Sequence, residues 1–252
     1  MALAELKFFS ESLGVNTTVN VVLPQKSVNG EIGTENGKSA DKLKCLYLLH
    51  GLSDDYSIWL RRTSIERYAQ KYGICVVMPD GNRSFYTDMK YGGNYYTYIA
   101  KELPKIVKAY FNISGEKEDN YIAGLSMGGY GALKTALKEN NYCAAAGLSS
   151  VADIRAMAGR FKNDYTAIFG EDVVIPDNED LFYLAKERNS DANKPRIFMA
   201  VGTEDFMYND NVRLKNAFEA LDYDYTYIEE SGSHEWGFWD KHIQNVLKWM
   251  FE

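Results

Sequence analysis

The sequence predicts an α/β fold, with a mostly parallel central sheet and helices on both faces. Three observations carry this expectation. Strand-like and helix-like patterns alternate along most of the chain, as they do where crossovers join parallel strands. The central strand-like runs, such as 43–49 and 74–78, are almost continuously apolar, which suits strands buried on both faces. The 252 residues are long for one domain but ordinary for this class, and 46% of them are hydrophobic, enough for a large core. Residues 1–252 therefore read as a single domain.

Two strands open the chain, at 3–9 and 17–23. In the second, Thr18, Asn20 and Val22 alternate with Val19, Val21 and Leu23. The pair is expected to form an antiparallel edge. A polar, glycine-containing stretch over 25–41 reads as a surface loop. The run 43–49 is the first central strand. Thr63-Ser64-Ile65-Glu66 fits a capping box that opens a helix through Lys71, and Tyr72-Gly73 ends it. Residues 74–78 form the next strand, stopped by Pro79-Asp80-Gly81. A tyrosine-rich loop leads to a helix over about 95–110. A strand ends at Gly124, and a helix follows to about 140. Further strands are expected at 143–148, 196–201 and 225–229, with a closing helix at 234–251. More than forty residues separate Ser149 from Pro195, too many for a simple crossover. About 150–194 is therefore expected to be a small helical cap inserted within the domain. The chain shows neither an internal repeat nor a low-complexity linker.

Charge and composition narrow the partners. The net charge is −7, and no basic run offsets it. Nucleic acid and anionic membrane surfaces are therefore not expected to bind. No run has the length of a membrane span. The stretch Met1 to Phe9 lacks a basic region and is interrupted by Glu5 and Lys7, so it does not read as a signal peptide. Cys45, Cys75 and Cys143 lie in apolar, strand-like runs without metal-ligand spacing, and they read as reduced core thiols. The expected compartment is cytoplasmic. No metal and no cofactor are expected. The oligomeric state is left open, a homo-oligomer included.

The chemistry is written around Gly124-Leu125-Ser126-Met127-Gly128. This G-x-S-x-G lies between a strand-like and a helix-like run. A serine on so sharp a turn is forced into strained geometry, its hydroxyl stands above the sheet edge, and the Met127 N–H points to where an oxyanion would form. The bare motif would arise by chance in roughly one such chain in ten, so its partners decide its meaning. A serine hydroxyl needs a base, and the base needs an orienting acid. The chain has three histidines. His242 lies within the closing helix. His50 precedes the serine and is read as holding its own loop. His234 lies in the small-residue loop Ser231-Gly232-Ser233-His234 after the last strand, at the edge where chemistry collects in a parallel sheet. It is the expected base. The expected acid is Asp205, which follows the strand at 196–201, with Glu204 and then Asp210 as rivals. The order Ser126, Asp205, His234 is that of α/β-hydrolases. His50-Gly51-Leu52 also follows a buried strand, so the Leu52 N–H is the expected second oxyanion donor.

Longer matches now accumulate. They include Tyr47-Leu-Leu-His-Gly-Leu-Ser-Asp-Asp55, Trp59-Leu-Arg-Arg-Thr63, Val77-Met-Pro-Asp-Gly-Asn82 and Tyr96-Thr-Tyr-Ile-Ala-Lys-Glu-Leu103. Gly124-Leu-Ser-Met-Gly-Gly-Tyr-Gly-Ala132 and Gly232-Ser-His-Glu-Trp236 complete the set. In these pieces, which run in order from about 45 to 240, the chain resembles the tributyrin-esterase branch of the esterase D-like α/β-hydrolases. That group also includes S-formylglutathione hydrolases and feruloyl and acetylxylan esterases. The resemblance implies a serine carboxylesterase for short acyl esters, with a small-molecule or sugar ester as substrate. It implies the triad Ser126, Asp205 and His234 and the donors Leu52 and Met127. Formylglutathione hydrolases usually carry histidine where this chain has Leu125. His50, Trp59, Tyr86, Tyr96 and Trp236 are expected to contact the substrate. The aromatic loop Phe85-Tyr86 and Tyr91 to Tyr98, with the segment around 161–169, is expected to line the acyl or alcohol pocket.

Overall fold

The computed structural model describes residues 1–25 and 41–252, so most of the loop expected at 25–41 lies outside the described residues. The described residues build an eight-stranded sheet in the order β1-β2-β4-β3-β5-β6-β7-β8. Strands β1 (Ala2–Ser10) and β2 (Val15–Leu23) pair antiparallel along their full length, as the alternation in 17–23 implies. Strand β2 also runs antiparallel to β4 (Cys75–Pro79). The rest of the sheet is parallel: β4 beside β3 (Cys45–Leu49), then β5 (Asn120–Leu125), β6 (Ala144–Leu148), β7 (Arg196–Gly202) and β8 (Tyr225–Glu230). This is the α/β-hydrolase fold.

Each central strand feeds two cores, because successive side chains point to opposite faces. Cys45, Tyr47 and Leu49 of β3 enter one cluster, and Leu46 and Leu48 enter the other. The second face is covered by α1 (Ile58–Arg62), α2 (Ile65–Tyr72) and the closing helix. The first face is covered by a broken helix: α3 (Tyr95–Thr97), a wide π turn over Tyr98–Glu102, and α4 (Leu103–Tyr110). The wide turn stands just before Pro104, which has no N–H to close the regular ladder. Helix α5 (Met127–Lys138) is buried along almost its whole length on the same face.

Between β6 and β7 lie α6 (Lys162–Phe169), a 3₁₀ turn (Asp177–Glu179) and α7 (Leu181–Arg188). Helix α7 packs against both α5 and α8 (Tyr208–Glu219), so it belongs to the layer beneath and completes the crossover. The chain closes with α9 (Trp236–Phe251). None of these helices is long and apolar enough to cross a membrane.

One local expectation is corrected. Ser64, not Thr63, is the N-cap of α2, and its side chain makes no capping bond. Thr63 is already the C-cap of α1: its hydroxyl donates to Trp59 O at 2.6 Å and accepts the Ile65 N–H at 3.1 Å. The short link between two helices uses one threonine for both ends.

Candidate active site

Ser126 stands between β5 and α5 with φ 53° and ψ −117°. A non-glycine residue in such a conformation costs on the order of 1–3 kcal/mol and persists only where its surroundings fix it. Here they do. The Ser126 N–H donates to Leu148 O at 2.8 Å, and its carbonyl accepts from the Tyr130 and Val151 N–H groups, each at 3.1 Å. The turn also needs glycine on both sides. A Cβ on Gly128 would lie 2.6 Å from His50 O, and one on Gly124 would lie 2.9 Å from Leu49 O. The two glycines let the elbow press against the end of β3.

His234 reaches this serine from the loop between β8 and α9. Its Nε2 lies 3.0 Å from Ser126 Oγ. Its Nδ1 lies 2.9 and 3.1 Å from the two carboxylate oxygens of Asp205. An ionised carboxylate only accepts, so Nδ1 carries the proton and Nε2 is free to receive one from the serine. Asp205 is buried, and its Oδ1 also accepts the Met207 N–H at 2.8 Å. Burial pushes this carboxyl upward, but the bond and charge of His234, the Met207 N–H and the Ser149 hydroxyl outweigh it and hold the pKa below the ordinary value. The rival acids face elsewhere. Glu204 accepts the Gly232 N–H at 2.5 Å, which braces the histidine loop, and Asp210 pairs with Arg213 at 3.3 Å. The imidazole lies between Phe206, 4.6 Å between ring centres, and Trp239, edge-on at 4.9 Å. Helix α9 begins after the histidine because Glu235 caps it, accepting the Gly237 and Phe238 N–H groups.

Met127 opens α5, and its N–H, like that of Leu52, has no protein partner among the described residues. Both residues line the same cavity as Ser126 and His234. The Leu52 loop is fixed by His50. Its Nδ1–H donates to Gly51 O at 2.7 Å, and its Nε2 accepts the Gly81 N–H at 2.8 Å. Tyr86 donates its hydroxyl to His50 O at 2.9 Å.

The cavity measures about 520 Å³. Its walls are largely apolar, with Leu125, Phe85, Phe161, Phe206, Met207 and Trp236 prominent. Ser53, Asp54, Arg83 and Glu235 supply its polar part. Of the five expected substrate contacts, only Trp236 lines it. His50 is buried beneath the Leu52 loop. Trp59 is buried, donates its indole N–H to Leu49 O at 3.1 Å, and stands edge-on behind Trp236. Tyr86 is buried with its hydroxyl on His50. Tyr96 lies away from the cavity, on Glu139 at 2.6 Å. In all four, a hydrogen bond inside the fold takes the polar group that a substrate would need. Of the expected aromatic lining, Phe85 and Phe161 reach the cavity, whereas Tyr91, Tyr95, Tyr98, Tyr165 and Phe169 do not line it. Phe206, Arg83 and Asp54 join the lining beyond the expected contacts; Phe206 directly follows the acid in sequence, and Asp54 lies two residues after Leu52. Arg83 lines the cavity and holds Asp164 of α6 through two bonds of 2.8 Å.

Known esterases and serine hydrolases are similar to this chain over almost its whole length. The Esterase family model ("Putative esterase") matches residues 10–250. The chain is 34% identical to an acetyl esterase of Caldicellulosiruptor saccharolyticus over 267 aligned positions, covering 99% of this chain and 98% of that one. Among solved structures, it is similar to the substrate-bound fluorophosphonate-binding serine hydrolase F of Staphylococcus aureus, at TM-score 0.89 and 32% identity, covering 100% of this chain and 98% of that one. It is also similar to the S-formylglutathione hydrolase of the same organism, at TM-score 0.86 and 32% identity, with both chains covered fully.

Proposed function

The chain belongs to the Esterase family of carboxylic ester hydrolases, and from that premise we propose that it is a serine esterase for short acyl esters, working through Ser126, His234 and Asp205. The observation that carries this reading is the unbroken line of hydrogen bonds from Ser126 Oγ through the imidazole to Asp205, ending in a cavity with two free backbone N–H donors. In the first half-reaction, Ser126 Oγ bonds to the ester carbonyl carbon while His234 Nε2 takes its proton. The carbonyl oxygen gains the negative charge and sits between the Leu52 and Met127 N–H groups, where the N-terminal end of α5 adds its dipole. Collapse breaks the bond to the alcohol oxygen, which leaves with the proton from His234. Water then repeats the sequence on the acyl-enzyme and frees the acid. Asp205 holds the tautomer and stabilises the imidazolium.

Similarity to an acetyl esterase supports a short acyl chain, of acetyl to butyryl size, and the apolar walls suit such a chain. A sugar alcohol is the second reading, favoured by the polar group of Ser53, Asp54, Arg83 and Glu235 beside Trp236. The test is hydrolysis of p-nitrophenyl acetate and butyrate by the wild type and Ser126→Ala. The variant should lose about 10⁴-fold or more in kcat/KM. Equal rates would sink the assignment.

A further inference from the structure

Phe85 is the wall residue whose placement is hardest to explain locally. It and Tyr86 both adopt left-handed backbone geometry, φ 48° and 51°, which side-chain-bearing residues avoid. Something outside the loop must hold them. That anchor is a charge inside the protein. Lys134 of α5 has a completely buried side chain, and its ammonium lies 2.6 Å from Glu179 Oε2, 2.7 Å from Thr87 Oγ1 and 3.3 Å from Phe85 O. All three ammonium donors are used. Glu179 comes from the 3₁₀ turn in the segment between β6 and β7, and its other oxygen accepts Lys138 at 3.0 Å. Tyr130, one turn before Lys134, donates its hydroxyl to Glu179 O at 2.7 Å. The nucleophile helix, the inserted segment and the Phe85 loop therefore meet at one ion pair.

Two of these elements, the nucleophile helix and the inserted segment, clamp the ring of Phe85. It stands 6.4 Å from Tyr130, 6.0 Å from Phe161 and 5.2 Å from Tyr165, centre to centre, and lines the cavity. Tyr86 is held independently: its hydroxyl reaches His50 O, and its ring fills the space over Gly81 and Gly131. Loss of the ion pair would release Phe85 while leaving the oxyanion loop in place.

We propose that the buried Lys134–Glu179 pair, with Thr87, positions Phe85 and so sets the length of acyl chain the cavity accepts. An apolar pair of similar shape would fill the volume as well. What the ion pair adds is direction, since each ammonium donor has a fixed partner that an apolar side chain would lack. Lys134 and Glu179 are positioning residues that touch no substrate, and the inserted segment becomes a determinant of selectivity. The inference rests on the serine-esterase reading.

The experiment compares kcat/KM for p-nitrophenyl acetate, butyrate and octanoate in the wild type, Thr87→Val and the charge-free double variant Lys134→Met/Glu179→Gln. The double variant should shift the octanoate-to-acetate ratio toward the longer chain by about tenfold, chiefly through KM, with kcat on acetate within about threefold. Thr87→Val should move the ratio the same way by a smaller factor. An unchanged ratio in the folded double variant would overturn the proposal. Should that variant fail to fold, an unchanged ratio in Thr87→Val would do the same. Acetate turnover that does not depend on Ser126 would instead overturn the esterase reading beneath it.

Discussion

The acid and the base of the relay sit on separate loops, and Gly202 is where those loops touch. A methyl group built on Gly202, the last residue of β7, would overlap the Gly232 carbonyl and lie 3.0 Å from Gly232 Cα. Carbon atoms rest about 3.5–4.0 Å apart, so Gly202→Ala must push the Ser231–Gly232 turn away from β7 by roughly 1 Å. Neither side yields easily. Gly232 is tied by its N–H to Glu204, and its carbonyl accepts the Glu204 N–H at 3.1 Å. The displacement falls on the loop that carries His234. A bond of 2.9 Å to Asp205 would open to about 4 Å, which is no hydrogen bond. A misplacement of about 1 Å at a reacting group costs on the order of 10²-fold in rate. Overpacking adds a stability loss of about 1–3 kcal/mol. Gly202→Ala should therefore fold, melt somewhat lower, and show kcat/KM on p-nitrophenyl acetate about 100-fold below wild type. Labelling of Ser126 by a fluorophosphonate probe should slow in parallel. A folded variant with wild-type turnover would refute the claim that this contact sets the relay.

Other perturbations separate the parts of the site. Asp205→Asn should keep the geometry but lose the tautomer, lowering kcat by about 10³–10⁴-fold with little change in KM on the acetate ester. His50→Ala strands the buried Gly51 carbonyl and Gly81 N–H; urea unfolding should show a loss of about 1–3 kcal/mol. The freed Leu52 loop should lower kcat by about 10²-fold. Glu179 gives an acid-dependent term. Burial pushes its carboxyl upward, but Lys134 and Lys138 outweigh this and pull it down to about 2, against an ordinary 4.5. The unfolded chain then binds the proton more tightly. The contribution is complete above about pH 4.5 and disappears as the pH falls toward 2, for roughly 3 kcal/mol in all. Urea midpoints at pH 6 and pH 3 should fall less steeply in Glu179→Gln than in wild type, and equal slopes would contradict the assignment. Trp236→Ala should raise KM for the ester several-fold while leaving kcat nearly unchanged.

Much of this was legible in the sequence. Periodicity placed the strands because a parallel sheet buries both faces of each one, and that leaves continuous apolar runs such as 45–49. The juxtaposition of Ser126, His234 and Asp205 was legible because all three follow strands, and strand ends in such a sheet share one edge. Chain position left Asp205 and Glu204 as rivals, and the structure shows the physical difference: one carboxylate faces the imidazole, the other the Gly232 N–H.

The pocket was not legible in the same way. Aromatic side chains near the motifs were expected to meet the substrate, yet Trp59, Tyr86 and Tyr96 spend their polar groups on the protein itself. Sequence records what a side chain can bind, not which partner the fold brings to it. Phe206 and Arg83 enter the cavity through loop conformations that no pattern encodes. The Lys134–Glu179 pair joins residues 45 positions apart. Strand order and the Ser126 elbow are local in origin, set by periodicity and by glycines at fixed spacing. The walls of the cavity are set by contacts between distant segments, and only the tertiary structure decides those.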